Sequence, residues 1–155
     1  MTLSAAPLYT DVSPAPLEGA AYWTHASDGV RIRLGVWRPD GAKGTVLMFP
    51  GRTEYIEKYA PAAGDFAARG LATITIDWRG QGIADRMLDD AMTGHVHLFQ
   101  DYQLDVSAMI AAARELNLPE PFYLVAHSMG GCIGLRALHD ALPVAAAALT
   151  GPMWG

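Results

Sequence analysis

The stretch FYLVAHSMGG at residues 122–131 constrains the fold of this chain more than any other. Its four leading apolar residues predict a buried strand and the residues after Ser128 predict a helix, so the serine stands at a sharp strand-to-helix turn. A serine at such a turn projects beyond the sheet edge, where a nucleophile must stand. The turn requires small residues two positions before and after it, and Ala126 and Gly130 satisfy this. We therefore predict that Ser128 is a catalytic nucleophile.

The rest of the chain alternates predicted strands and helices. Strands are expected at 20–25, 31–37, 45–49, 71–76, 122–125 and 144–149, and helices at 55–69, 99–116 and 129–142, with a long loop at 78–98. This alternation predicts an α/β protein with a mostly parallel sheet and helices on both faces. The chain stops directly after a strand candidate, so we expect the sheet to be truncated after about the sixth strand.

Two segments carry more specific expectations. Within 31–37, Ile32, Leu34 and Val36 alternate with arginines and a glycine, which is typical of a strand buried on one face only. Residues 1–19 are interrupted by three prolines and predict a loosely packed N-terminal arm. The domain proper is therefore expected to comprise residues 20–155.

Composition excludes several classes of function. The chain has 155 residues, a net charge of −5 and 17% charged residues, which indicates a globular protein and argues against nucleic-acid binding. The single cysteine, Cys132, cannot form an internal disulfide. His95 and His97 form an H-x-H pair without further ligands at a recognised spacing, so no metal is expected. The N-terminus lacks the pattern of a secretory signal, and the expected location is cytoplasmic.

Three segments, AHSMGG at 126–131, PGRTEY at 50–55 and DWRGQG at 77–82, resemble the α/β-hydrolase family. Within it they are most similar to the lysophospholipase L2 and monoacylglycerol lipase branch, over roughly residues 20–150. The resemblance implies an α/β-hydrolase fold and a serine hydrolase of carboxylic esters that acts on a small-molecule or lipid ester without a cofactor. It also implies that the backbone N–H groups of Met129 and Arg52 form the oxyanion hole.

The residues beside this hole have two interpretations. Gly51 allows a close approach of the backbone, and Arg52 and Glu54 could contact a polar head group of the substrate. Alternatively, Glu54 pairs with Lys58 at the helical i,i+4 spacing. Asp77, at the end of a predicted strand, is expected to tie down the loop that follows it.

The base that would activate the serine is not apparent in this sequence. In the family the triad runs in the order Ser, acid, His, yet only His139 and Asp140 follow Ser128, and both lie on the helix behind it. His127 is expected to pack or to form a hydrogen bond. We therefore expect the N-terminal portion of a larger hydrolase, inactive by itself, whose later strands, lid, acid and histidine lie elsewhere. The alternative is a non-catalytic binding module with a hydrolase fold. Weak peripheral membrane contact and the oligomeric state stay open.

Overall fold

The computed structural model describes residues 3–154 and contains one seven-stranded sheet. The strands are β1 (Ser4–Ala6), β2 (Gly19–His25), β3 (Arg31–Trp37), β4 (Thr45–Phe49), β5 (Ala72–Asp77), β6 (Phe122–His127) and β7 (Ala146–Thr150). The α-helices are α1 (Ala60–Ala67), α2 (Tyr102–Glu115) and α3 (Met129–His139), with short 3₁₀ helices (Ile56–Tyr59 and Phe99–Asp101) before α1 and α2. The predicted strands and helices are all present, and α3 ends three residues early, just before Ala141 adopts a positive φ of 64°.

The strands lie in the order β1-β2-β3-β5-β4-β6-β7, and the two halves of this sheet differ in direction. Strands β5, β4, β6 and β7 run parallel to one another, whereas β1, β2 and β3 are joined in antiparallel pairs and β3 pairs antiparallel with β5. The carboxyl ends of parallel strands meet at one edge, where open α/β sheets place their ligands. The loops after β4, β5 and β6 therefore converge, and these are the loops that the sequence motifs occupy.

Helices cover both faces of the sheet, as expected. The main core packs α2 and α3 against one face, around Leu34, Leu124 and Met109, which are fully or almost fully buried. On the other face Trp37 packs against Ala60 and Ala63 of α1. The expectation that β3 is buried on one face only is wrong, since every residue from 32 to 37 is buried.

The N-terminal segment contacts the domain at two places, although residues 3–19 are all exposed or half-buried. Strand β1 pairs with β2 at the sheet edge, with Ser4 opposite Trp23. Farther along, Leu17 packs against the cluster that contains Trp37, and Pro16 lies so close to Gly64 that a Cβ there would overlap it. The predicted boundary at residue 20 stays a prediction, and residues 1, 2 and 155 lie outside the described residues.

The opposite edge of the sheet is exposed. Within residues 3–154, β7 pairs only with β6, and its first three residues, at 146–148, are exposed. Among the helices of the described residues, none is long and apolar enough to cross a membrane.

Candidate active site

Ser128 lies at the junction of β6 and α3 in a backbone conformation that non-glycine residues rarely adopt. Its φ is 50° and its ψ is −118°, and such a conformation persists only where the surrounding structure enforces it. Three hydrogen bonds do so: the Ser128 N–H donates to the Thr150 carbonyl (3.1 Å), and the Ser128 carbonyl accepts from the N–H groups of Gly131 (2.9 Å) and Met153 (3.0 Å). The predicted sharp turn is thus present, and the side chain is half-buried at the sheet edge.

The loop after β4 lies directly against this turn. A Cβ at Gly130 would overlap the carbonyl oxygens of Phe49 and Pro50, so only glycine fits there without a backbone shift. A Cβ at Gly51 would lie 3.2 Å from the Cβ of Ser128, which is tighter than an ordinary contact. The predicted requirement for a small residue at position 130 therefore has a structural cause, namely the packing of the β4–α1 loop on the serine turn.

Two backbone N–H groups at this contact are free to donate. Within residues 3–154, the N–H groups of Arg52 and Met129 have no protein acceptor. Met129 is the first residue of α3, so its N–H also lies at the positive end of a helix dipole. Free N–H groups of this kind attract negative charge. The oxyanion-hole role of Arg52 and Met129, like the nucleophile role of Ser128, stays a prediction.

The rest of the β4–α1 loop is held by side chains. The Gly51 N–H donates to Glu54 Oε2 (2.6 Å), and the Thr53 N–H donates to Gln81 Oε1 (2.7 Å). Trp78 Nε1–H donates to the Pro50 carbonyl (3.0 Å) from a fully buried ring. The roles of Trp78 and Gln81 are not predicted from the sequence, although both lie in the segment at 77–82 that carries the family resemblance.

Glu54 is engaged on both carboxylate oxygens. Lys58 Nζ pairs with Oε1, which confirms the i,i+4 contact, and the Tyr59 O–H donates to Oε2 beside the Gly51 N–H. Burial acts to raise the pKa of Glu54, but these hydrogen bonds outweigh it and the pKa lies below its usual value. Burial and the neighbouring carboxylate raise the pKa of Tyr59 far above its usual value. A substrate-binding role for Gly51 and Glu54 stays a prediction.

A buried ion cluster formed by Arg33, Glu57 and Asp77 holds the loops beside the site. Arg33 donates to Asp77 (2.8 Å) and forms two hydrogen bonds with Glu57 (2.8 and 2.9 Å), and all three side chains are at most 3% exposed. Asp77 also accepts from the N–H groups of Ile56 (2.9 Å) and Ile83 (3.1 Å), which confirms its expected role in tying down the following loop. Burial raises the pKa of Asp77 in spite of the opposing effect of Arg33.

A second ion cluster holds the beginning of the long 78–98 loop. Arg79 pairs with Asp105 of α2 (2.8 Å) and with Asp28 of the β2–β3 turn (2.7 Å), and both Arg79 and Asp105 are buried. Burial raises the pKa of Asp105 to about 6, against the opposing effect of Arg79. The Arg79 hydrogen bonds lower the pKa of the more exposed Asp28. The loop is therefore fixed to elements on two sides.

The histidines do not supply Ser128 with a base within the described residues. His127 Nδ1 lies 3.0 Å from Thr150 Oγ1, which confirms its expected hydrogen bond. His139 is exposed at the far end of α3, about 15 Å along the helix from the serine. His95 and His97 contact each other (3.3 Å), and no group of three or more potential metal ligands occurs in residues 3–154.

The mixed sheet, its flanking helices and the strained serine after β6 define the α/β-hydrolase class. A Pyrococcus furiosus esterase superposes with a TM-score of 0.74 at 16% identity, covering 96% of this chain and 56% of the esterase. A monoglyceride lipase from Saccharomyces cerevisiae superposes with a TM-score of 0.65 at 22% identity, covering 94% of this chain and 47% of the lipase. At these identities the two likenesses show the fold alone.

The family follows from the sequence comparison. The family model described as serine aminopeptidase, S33, matches residues 40–155, and the chain belongs to this family of hydrolases. Lysophospholipase L2 of Escherichia coli is 37% identical over 129 residues, which are 83% of this chain and 38% of that protein. Phospholipase YtpA of Bacillus subtilis is 30% identical over 100 residues, 64% of this chain and 36% of the relative. The chain thus spans less than two fifths of the length of these relatives, and the predicted resemblance is confirmed.

Proposed function

We propose that the protein is a serine hydrolase of carboxylic esters, with a lysophospholipid or a monoacylglycerol as the preferred substrate class. The observation that carries the proposal is the strained Ser128 turn packed beside the free N–H groups of Arg52 and Met129. The kinship with lysophospholipase L2 of E. coli supports a lipid ester rather than another acyl compound.

In the proposed reaction, a base removes the hydroxyl proton of Ser128 while Oγ attacks the ester carbonyl carbon. The carbonyl oxygen becomes an oxyanion and accepts hydrogen bonds from the Arg52 and Met129 N–H groups, each typically worth about 2.7–4 kcal/mol in the transition state. Collapse of this intermediate breaks the ester C–O bond, and the alcohol leaves with the proton from the base. Water then attacks the acyl-serine by the same route and releases the carboxylic acid.

The proposal requires a histidine and an acid from outside residues 3–154, because no described histidine contacts the Ser128 hydroxyl. The protein expressed from its full reading frame should react with a fluorophosphonate probe, and Ser128→Ala should abolish labelling. Ser107→Ala is the matched control, since Ser107 is an exposed serine on α2 whose hydroxyl bonds only the Gln103 carbonyl (2.9 Å). Undiminished labelling of Ser128→Ala would refute the assignment.

The competing function is a non-catalytic binding module that keeps the hydrolase fold. It is favoured only by the lack of a base beside Ser128 within the described residues. If the reading frame supplies no later acid and histidine, and the folded wild-type protein fails to label, the binding module is the correct interpretation. Turnover of a lysophospholipid by the wild-type protein excludes it.

A further inference from the structure

Of three consecutive backbone N–H groups in the β4–α1 loop, the outer two have side-chain acceptors and the middle one has none within residues 3–154. The Gly51 N–H is bound by Glu54 and the Thr53 N–H by Gln81, while the Arg52 N–H between them has no acceptor within residues 3–154. The two N···O distances, 2.6 and 2.7 Å, are close contacts, at or just below the short end of the usual range for N–H···O hydrogen bonds. Because peptide units are planar, fixing the units on both sides leaves the Arg52 peptide little freedom to rotate.

The two acceptors are themselves immobilised. Glu54 receives hydrogen bonds from Lys58 and Tyr59 in addition to Gly51, and these three contacts restrict the orientation of its carboxylate. Gln81 is 3% exposed, and within residues 3–154 its buried amide nitrogen has no hydrogen-bond partner, so burial rather than a second hydrogen bond restricts this side chain. Thr53 has a positive φ of 61°, which costs a β-branched residue free energy and needs an external contact to persist.

We propose that Glu54 and Gln81 are positioning residues that aim the Arg52 N–H at the oxyanion. The proposal rests on the proposed function for the reaction itself, and it gives Glu54 a role different from contact with a substrate head group. An oxyanion donor contributes only if it lies about 2.7–3.1 Å from the developing charge. A misplacement of about 1 Å can lower the rate by roughly 10²-fold, so the two acceptors should affect kcat rather than KM.

The test uses the protein from its full reading frame and two substitutions that keep side-chain length but remove the acceptor, Glu54→Met and Gln81→Met. Each should lower kcat by about 10- to 10²-fold, with KM changed less than about threefold. Glu54→Gln retains an acceptor oxygen for Gly51 and should recover most of the lost kcat. Gln103→Met is the matched control, because it removes a side-chain hydrogen bond to the Ile133 carbonyl (3.1 Å) between α2 and α3 without touching the loop. It should leave kcat within about twofold.

Amide hydrogen exchange tests the same idea without catalysis. In the wild-type protein the Gly51 and Thr53 amides should exchange more slowly than Arg52, and Glu54→Met should release Gly51 alone. Equal exchange at the three positions would overturn the proposal, even in an active enzyme. A higher KM with unchanged kcat in Glu54→Met would also overturn it and assign Glu54 to the substrate. A folded wild-type protein that shows the exchange pattern but no hydrolysis would refute the proposed function and, with it, the catalytic role of both residues.

Discussion

Replacing Arg33 by methionine should destabilise the fold severely at neutral pH. Arg33 is 1% exposed and is the shared partner of Glu57 and Asp77, whose side chains are 3% and 0% exposed. Breaking a buried ion pair by removing one partner costs about 3–5 kcal/mol, because the remaining charge is left in a medium that does not solvate it. Here two carboxylates lose their cation, so we expect a loss at the upper end of that range. That is a large fraction of the roughly 5–15 kcal/mol that stabilises a typical domain.

Urea unfolding followed by circular dichroism measures this loss. The matched control is Arg31→Met, two residues earlier on the same strand, whose ion pair with Asp85 is about 40% exposed on both sides (43% and 41%). Exposed pairs contribute only about 0–1 kcal/mol. The penalty for Arg33→Met should also shrink at acid pH, where the buried carboxylates gain protons, since burial already raises the pKa of Asp77. A cost for Arg33→Met no greater than that for Arg31→Met would refute the reasoning.

Three further outcomes follow from the contacts of the site. Gly130→Ala should destabilise the protein by at least about 1–3 kcal/mol because its Cβ meets two backbone carbonyls. Gly134→Ala on the same helix meets only side chains, those of Leu124, Ala126 and Phe49, and should cost less; equal unfolding midpoints would contradict this. Trp78→Phe removes the hydrogen bond to the Pro50 carbonyl, so it should lower the free energy of unfolding by about 1–3 kcal/mol and slow fluorophosphonate labelling. An unchanged labelling rate would count against the role of Trp78 in holding the loop. Because the folded-state pKa of Glu54 is lowered, its stabilising contribution is present above pH 4.5 and is lost as pH falls through the folded pKa. The stability difference between wild type and Glu54→Gln, measured by urea unfolding from pH 7 to pH 3, should therefore shrink on acidification, and growth of that difference would disprove the assignment.

The strands and helices follow from local sequence to a large extent. The apolar run at 45–49 forms β4, which is buried throughout, and the run at 122–125 forms most of β6, in which buried and half-buried residues alternate. Apolar runs of this length, bounded by turn residues, are typical of strands. The turn at Ser128 was predictable from the strand–serine–helix pattern, whereas the contact that requires glycine at position 130 comes from the β4–α1 loop and is tertiary. Strand β1 was not predictable, because residues 4–6 pair with a strand that no local pattern indicates.

The burial of β3 on both faces could not be predicted from its sequence. Alternation of arginine with apolar residues predicts one solvated face, yet Arg33 is buried because Glu57 and Asp77, at 24 and 44 residues farther along the chain, neutralise it. A charge is buried only where its partners converge in space, and the sequence does not display that convergence.

For the site too, part follows from the sequence and part from the tertiary structure. The sequence by itself determined a strand, a serine and a helix, because backbone sterics and apolar periodicity act over a few residues. Only the tertiary structure decided which N–H groups remain free beside Ser128. Glu54 accepts a hydrogen bond from the Gly51 N–H, and Gln81, which lies in the loop after β5, accepts one from the Thr53 N–H, so the Arg52 N–H between them is left free. Hydrogen bonds depend on distances of about 3 Å in space, and such distances between separate loops are set by the packing of the whole sheet.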